Sequence, residues 1–442
     1  MLWHLLKYYM SFVILVFFKR NKIANKKYVQ DKSPLILAMN HPNAFMDPVA
    51  FSSSLYPPRV RYLARGDAFK KGIVTWLLQS MGIIPIYRIQ DAGKDGLKKN
   101  NETYSIVNKL LSKNKKIIIF AEGLCVQERR LRPLKKGVPR MIFGAMTEHE
   151  LKDLKVVPIG INYTNPSQFR GSVFYNIGKP ILMSQYMELY NESPAKTMNL
   201  FLADLAAKMK ELIINIQYKR SEQLIEHLEV ILKYDFFAKE KLDIKNLEHD
   251  FLFSSKLVDV INKAEDVCPE KVEELGEKTN RYFSELKTYK LKDWLINPSK
   301  QKHIHYGSVI FRILIIVLTF PIYCVGLIGN YIPYKLSYLI TTRIVKTKEF
   351  KASFYMGFGA LLFLINYIGI FLIPTLFYSG WLGLLMVLIF FMCGYVCLFL
   401  SPLRKKTAGM MRFLSLKTKH HHVISDMENQ RAEIIKGYSN LI

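Results

Sequence analysis

Hydrophobic and polar positions divide the chain into regions with different periods. Between residues 34 and 180, short apolar runs alternate with longer amphipathic stretches. The runs LILAM (35–39), VRYLA (60–64), IIPIY (83–87), IIIFA (117–121), VVPIGI (156–161) and VFYNIG (173–178) have the length and β-branched content of strands. Segments around 68–80, 97–113 and 137–150 have helical spacing. This alternation predicts an α/β head over residues 30–190, a mixed sheet flanked by helices and buried on both faces. In such folds ligand groups gather where strands end and loops begin. Residues 191–300 mix charged and apolar positions at helical spacing and predict an α-helical insert or linker.

The C-terminal third, residues 301–403, changes the picture to a membrane anchor. The stretches 352–377 and 381–401 carry no charge and are each long enough to cross a bilayer. Only Tyr378, Ser379 and Gly380 separate them, which predicts a transmembrane helical hairpin. Basic residues flank it on both sides, between Lys335 and Lys351 and at Arg404–Lys406, and the positive-inside rule puts both flanks in the cytoplasm. The stretch 313–334 is apolar too, but Pro321, Gly326, Gly329 and Asn330 interrupt it, and a re-entrant or surface-lying course is expected. Residues 404–442 then form a basic cytoplasmic tail. At the other end, residues 1–29 predict an interfacial helix with a narrow polar stripe (His4, Lys7, Ser11) and a basic collar. Its uninterrupted apolar part, Phe12 to Phe18, is too short to span, and no small-residue cleavage site follows it. The expected location is the cell membrane, multi-pass, with the head facing the cytoplasm.

Charge narrows the partners. Sixty-three Lys and Arg against 36 Asp and Glu give a formal net charge of +27, which favours an anionic partner. No zinc-finger spacing, RNA-binding signature or recognition-helix pattern accompanies it, so nucleic acid is not expected, and anionic lipid is. The five cysteines are scattered and fit neither a disulfide framework nor a metal cluster. His420–His422 stand in a basic tail and are not read as a metal site.

The candidate chemistry follows strand ends. In LAMNHPNAFMDPVAF (37–51), His41 and Asp47 are six apart. On one straight helix they would face different directions at about 100° per residue, so pairing requires a turn, and Pro42, Asn43 and Pro48 favour one. A neutral histidine oriented by a carboxylate is a general base near physiological pH. The competing reading makes Asp47 a helix N-cap with Pro48 at the first helical position. GIIPIYR (82–88) ends in Arg88, whose fork suits a phosphate. IIIFAEGLCVQERRLRPLKKGV (117–138) presents Glu122 and Gly123, then Arg129, Arg130, Arg132, Lys135 and Lys136. On its own such a run is read as a solvated basic loop.

Taken together and in order, NHPNAFMDP, GIIPIYR, FAEG and VVPIGINY resemble the four motifs of the glycerolipid acyltransferase family, over about residues 30–190. The five residues between His41 and Asp47, where four are commoner in the family, look more like the glycerol-3-phosphate/dihydroxyacetone-phosphate acyltransferase branch. Ala121 replaces the usual proline before Glu122. The resemblance implies acyl transfer from a thioester to the sn-1 hydroxyl of glycerol 3-phosphate, or of dihydroxyacetone phosphate. His41 would be the base and Asp47 its orienting group. Arg88 and the segment Arg129–Lys136 would hold the acceptor phosphate, and Glu122 with Gly123 would shape the acceptor loop. No cofactor or metal is implied; acyl-coenzyme A or acyl carrier protein would be the co-substrate. The alternatives are a 1-acylglycerol-3-phosphate or other lysolipid acyltransferase, and a non-catalytic lipid-binding scaffold.

Overall fold

The computed structural model describes residues 2–55, 60–66, 69, 72–80, 82–87 and 89–441. The chain divides into two compact units, Met1–Asn215 with Val345–Met356, and Ile216–Ile344 with Gly357–Ile442.

The first unit is built on one sheet of β1 (Arg20–Ala24), β2 (Leu35–Met39), β3 (Val60–Arg65), β4 (Ile83–Ile86), β5 (Lys116–Phe120), β6 (Lys155–Tyr163), β7 (Ser172–Ile177) and β8 (Ile181–Leu182). The order is β1-β7-β6-β2-β5-β3-β4, with β8 paired to β6. Neighbours are parallel except that β7 and β8 run antiparallel to β6. β2 shows why the sheet is two-sided. Leu35, Leu37 and Met39 join the core that holds Met46, Phe51, Ile159 and Tyr175. Ile36 and Ala38 join the opposite core, with Leu111, Ile119, Phe143 and Phe201. Strand period 2 sends alternate side chains to opposite faces, and a strand covered on both must be apolar throughout. Because β2, β5 and β6 are mutually parallel, their C-terminal ends lie along one edge.

The six strands and three helical segments expected from the pattern all form, the helices as Ile73–Ser80, Ile89–Leu111 and Gly137–His149. Three expectations change. The collar after the N-terminal helix is in part a strand: β1 pairs in parallel with β7, Arg20 opposite Ser172. Its sequence RNKIA hides this, as charge is common on edge strands. The stripe containing Lys7 and Ser11 on the helix Leu2–Phe17 turns inward. Lys7 Nζ donates to Leu55 O at 3.1 Å, and Ser11 Oγ to Ser53 O at 2.9 Å. The helix exposes Leu5, Tyr8, Phe12 and Leu15 instead. At 16 residues it is about 24 Å long, short of the ~30 Å hydrocarbon layer. The head also runs past residue 190. The helix Pro194–Lys210 buries Phe201, Leu205 and Met209 in the second core. Asn162 then holds the following chain, its Nδ2 donating to Leu212 O at 2.9 Å and its Oδ1 accepting Ile214 N–H at 3.0 Å.

The second unit is helical. The expected insert forms Glu222–Lys239, Leu247–Val267 and Pro269–Thr288. Among the described residues, three helices are long and apolar enough to cross a membrane: Tyr306–Ile344, Lys348–Phe377 and Gly380–Lys419. The first is a single 39-residue helix that contains Pro321 and Pro333, so the chain does not turn back within 313–334. In apolar surroundings interior prolines are tolerated where neighbours satisfy the freed backbone groups. Polar contacts tie this helix to the hairpin: Asn330 Nδ2 donates to Phe390 O at 3.0 Å and Asn366 Nδ2 to Gly329 O at 2.9 Å. Residues 404–442, expected as a basic cytoplasmic tail, are mostly helical. The helix His421–Ser439 buries Ile424, Met427 and Ile434. Its Arg431 donates from Nε to Asp293 Oδ1 at 3.0 Å and from Nη2 to Ile231 O at 2.6 Å.

Candidate active site

The ends of β2, β5 and β6 bring the candidate residues together. Asn40, the first residue after β2, pairs with the backbone of Ile161 in β6: Asn40 Nδ2 donates to Ile161 O at 3.1 Å, and Asn40 Oδ1 accepts Ile161 N–H at 2.7 Å. This double bond fixes the strand end just before His41. The chain then turns through residues 42–45 into the helix Met46–Ser54, whose first turn carries Asp47. His41 Nδ1 and Asp47 Oδ2 lie 2.8 Å apart. Asp47 is therefore inside the helix and faces back toward the turn, which excludes the N-cap alternative.

Asp47 is fully buried, and a carboxylate in that position needs internal donors. Oδ2 accepts Asn43 N–H at 2.8 Å as well as facing His41, and Oδ1 accepts Tyr163 O–H at 2.7 Å. Burial first, and then the charge of Asp47, holds the Tyr163 hydroxyl well above its ordinary pKa, so it remains a donor. The His41 ring stacks on Phe120, centroids 3.7 Å apart and planes at 15°. With Nδ1 committed to Asp47, no hydrogen bond among the described residues involves Nε2. The side chain keeps 17% of its surface exposed.

Glu122, two residues after β5, braces the two loops. Oε1 accepts His41 N–H at 3.3 Å and Oε2 accepts Arg132 N–H at 3.2 Å. Burial pushes its carboxyl up to about 7; the bonds from Arg132 and His41 and the Arg132 charge oppose the shift, and Asp47 adds to it. Gly123 adopts φ 65°, and a Cβ there would meet Lys135 Cγ at 2.9 Å, so the loop requires glycine.

The basic segment is only partly open to a ligand. Glu128 Oε2 accepts from Arg130 Nε at 2.7 Å and from Arg132 Nη2 at 2.9 Å. Burial raises the Glu128 pKa, but the two arginines outweigh it and the net shift is downward. Arg129 is half-buried, whereas Lys135 and Lys136 are exposed. Arg88 lies outside the described residues. Its predecessor Tyr87 is held at both backbone groups by Asn100, N–H to Oδ1 at 2.8 Å and O from Nδ2 at 2.6 Å.

Cys125 accepts Ala44 N–H at 2.9 Å. Burial first, and then the charge of Asp47, pushes its thiol pKa up, so it is held as a neutral thiol and not as a nucleophile. Among the described residues no cluster of three or more His, Cys, Asp or Glu side chains is arranged to hold a metal. Tyr163, Asn40 and Phe120 received no role from the sequence. Tyr163 was accessible to strand alternation: Val157, Ile159 and Ile161 share a face with the helix Met46–Ser54, and Tyr163 is the next residue on it.

Residues 20–162 match the family model described as Acyltransferase. Glycerol-3-phosphate O-acyltransferase 2 of Saccharomyces cerevisiae is 33% identical over 104 residues, 23% of this chain and 14% of that protein. Glycerol-3-phosphate O-acyltransferase 1 of the same yeast is 40% identical over 78 residues, 18% of this chain and 10% of that protein. An uncharacterized acyltransferase of Schizosaccharomyces pombe is 33% identical over 88 residues, 20% and 13% of the two chains. The matched part thus spans no more than 14% of the length of these relatives. Among solved structures, the 1-acyl-sn-glycerophosphate (LPA) acyltransferase of Thermotoga maritima is similar at 13% identity, covering 46% of this chain and 80% of that one. Its TM-score of 0.30 is too low to bear on the fold described above.

The Glu122 carboxyl titrates near 4.5 in the unfolded chain and near 7 in the folded protein, which therefore holds the proton more tightly when folded. Its contribution to stability is complete below about 4.5 and lost as pH rises through about 7. Thermal denaturation of wild type and Glu122→Gln across this range checks the sign. The stability of the wild type relative to the variant should fall between those two values; a difference that stays flat contradicts the assignment.

Proposed function

We propose that the protein, whose residues 20–162 match the family model described as Acyltransferase, moves a fatty acyl group from a thioester to the sn-1 hydroxyl of glycerol 3-phosphate, or of dihydroxyacetone phosphate. The observation that carries the mechanism is the His41–Asp47 pair at 2.8 Å, with Nε2 turned to no protein partner among the described residues. The names of the two yeast relatives favour glycerol 3-phosphate as acceptor.

The acceptor hydroxyl attacks the thioester carbonyl while His41 Nε2 takes its proton. The tetrahedral intermediate then collapses, the carbon–sulfur bond breaks, and the imidazolium returns the proton to the leaving thiolate. Asp47 holds the ring by Nδ1 and stabilises the positive charge between the two steps. General-base assistance of this kind contributes roughly 10²–10⁴-fold. Lys135 and Lys136, with Arg129, Arg130, Arg132 and Arg88, supply positive charge for the acceptor phosphate, and Glu122 with Gly123 sets the position of that loop. No metal or cofactor enters the scheme; the donor is acyl-coenzyme A or acyl carrier protein.

The acyl chain and the product partition into lipid, so a membrane-held head suits the reaction. Among the described residues, no helix between the head and Tyr306 is long and apolar enough to cross. Residues 345–356 in turn pack in the head, with Ala352 and Met356 in its first core. The interruptions at Pro321, Gly326, Gly329 and Asn330 favour a course for Tyr306–Ile344 that does not cross, with Lys348–Phe377 and Gly380–Lys419 as the crossing hairpin. Basic residues between Lys335 and Lys351 and at Arg404–Lys406 favour the cytoplasm for both flanks of the hairpin, and the exposed stripe of Leu2–Phe17 is suited to rest on anionic lipid.

Purified protein in detergent, given labelled acyl donor as either thioester, should convert glycerol 3-phosphate to lysophosphatidate, and His41→Ala should lose at least about a hundredfold. Product from 1-acylglycerol-3-phosphate alone would move the enzyme to the lysolipid step; no product with either acceptor would favour the scaffold. Topology is checked by Lys302→Cys and Lys346→Cys in a cysteine-free background, labelled with an impermeant maleimide in oriented vesicles. Both should label from one side; labelling from opposite sides would make Tyr306–Ile344 a span.

A further inference from the structure

The turn that holds the catalytic pair is not self-sufficient. Ala44 sits at φ 27°, a conformation that L side chains rarely adopt, and such strain persists only when surrounding contacts over-determine it. The helix that follows, Met46–Ser54, has Phe45 at its N-cap position, and no side chain there accepts a helix N–H. A helix start normally gains a local Ser, Thr, Asp or Asn for that purpose.

The missing group comes from 307 residues away. Ser353 Oγ accepts Met46 N–H at 2.9 Å and donates to Asn43 O at 3.4 Å. Its hydroxyl thus bridges the backbone groups on either side of the turn, and Asp47 is the next residue. Ser353 is itself buried. The contacts around it form a short strap. Phe350 meets Phe45 edge-on, centroids 6.0 Å apart. Glu349 Oε1 accepts Gln127 N–H at 3.4 Å, next to Val126, whose N–H donates to His41 O at 3.1 Å. Tyr355 packs edge-on against Phe17, centroids 6.1 Å apart.

We propose that Ser353 is a positioning residue for the His41–Asp47 pair, supplied by the opening turns of the first hairpin helix. The strap touches the catalytic turn through Ser353 and Phe350, and the Glu122 loop through Glu349. Both loops that frame His41 are therefore fixed by the segment that leads into the membrane. Deleting the hydroxyl removes the acceptor of Met46 N–H and the donor to Asn43 O together, so the turn loosens while the sheet stays intact. Ser353 is buried and its hydroxyl is taken up by the Met46 and Asn43 backbone, so the loss is expected in turnover and not in binding.

The proposal rests on the acyl-transfer reading for its kinetic readout only. Full-length protein is compared as wild type, Ser353→Ala, Ser353→Cys and Ser353→Thr by steady-state kinetics and by amide hydrogen exchange of the peptide covering residues 43–48. Ser353→Ala and Ser353→Cys should lower kcat about tenfold with KM unchanged within about twofold, and should speed exchange in that peptide alone. Ser353→Thr, which keeps the hydroxyl, should recover most of both. If Ser353→Ala fails to fold, the thiol variant, of nearly the same size and a weak acceptor, carries the same expectation. Wild-type kcat and exchange in Ser353→Ala or Ser353→Cys overturn the proposal, and so does a loss that appears in KM. Should the wild type show no acyl transfer, the functional reading fails, and the exchange measurement still decides the role of Ser353: faster exchange upholds it and unchanged exchange overturns it.

Discussion

A carboxylate sealed from water must find every partner inside the protein, and the architecture of the site follows from how Asp47 does so. Its oxygens are met by the Asn43 amide, the Tyr163 hydroxyl and the His41 ring. These donors come from a turn, from the end of β6 and from the end of β2. The arrangement closes only if β2 and β6 are parallel neighbours in the observed register. Moving β6 by one residue along β2 would send Tyr163 to the other face and leave a buried oxygen without its donor, a loss of about 1–3 kcal/mol. Asn40 guards against that slip by bonding both backbone groups of Ile161.

Glu122 plays the complementary part on the other flank. It joins the amide of His41 to that of Arg132, so the base and the basic loop share one carboxyl group. Burial makes this bracket sensitive to pH in a range where an ordinary carboxylate is already ionised. The basic run itself is less open than its composition suggests, since Glu128 engages both Arg130 and Arg132. The exposed cations are Lys135 and Lys136, which sit just before the helix Gly137–His149.

What could be read from the sequence, and what could not, follows the range of the interactions involved. The strands with apolar runs were visible because burial on both faces leaves no polar positions in LILAM or in the IIIF that follows Lys116. β1 was not, because an edge strand with one apolar end looks like a linker. His41 and Asp47 were legible as a pair because a turn of five residues between them can be inferred locally. Strand alternation could place Tyr163 on the right face, but its bond to Asp47 and that of Ser353 to Asn43, 116 and 310 residues away, needed sheet register and tertiary packing. The inward turn of Lys7 and Ser11 was hidden for a related reason. A polar stripe on an apolar helix reads as the wet face unless the carbonyls it serves, here those of Ser53 and Leu55, are in view.

If His41 and Asp47 act as one unit in acyl transfer, a double-mutant cycle will show it. Turnover is measured for wild type, His41→Ala, Asp47→Asn and the double variant, with the same donor and acceptor. Groups that act together lose their effect together. Asp47→Asn should lower kcat steeply in the wild-type background and have almost no further effect when His41 is already alanine. Losses that multiply, with the double variant slower than His41→Ala by the full factor of the Asp47 substitution, would show that the two residues work independently and would contradict the dyad.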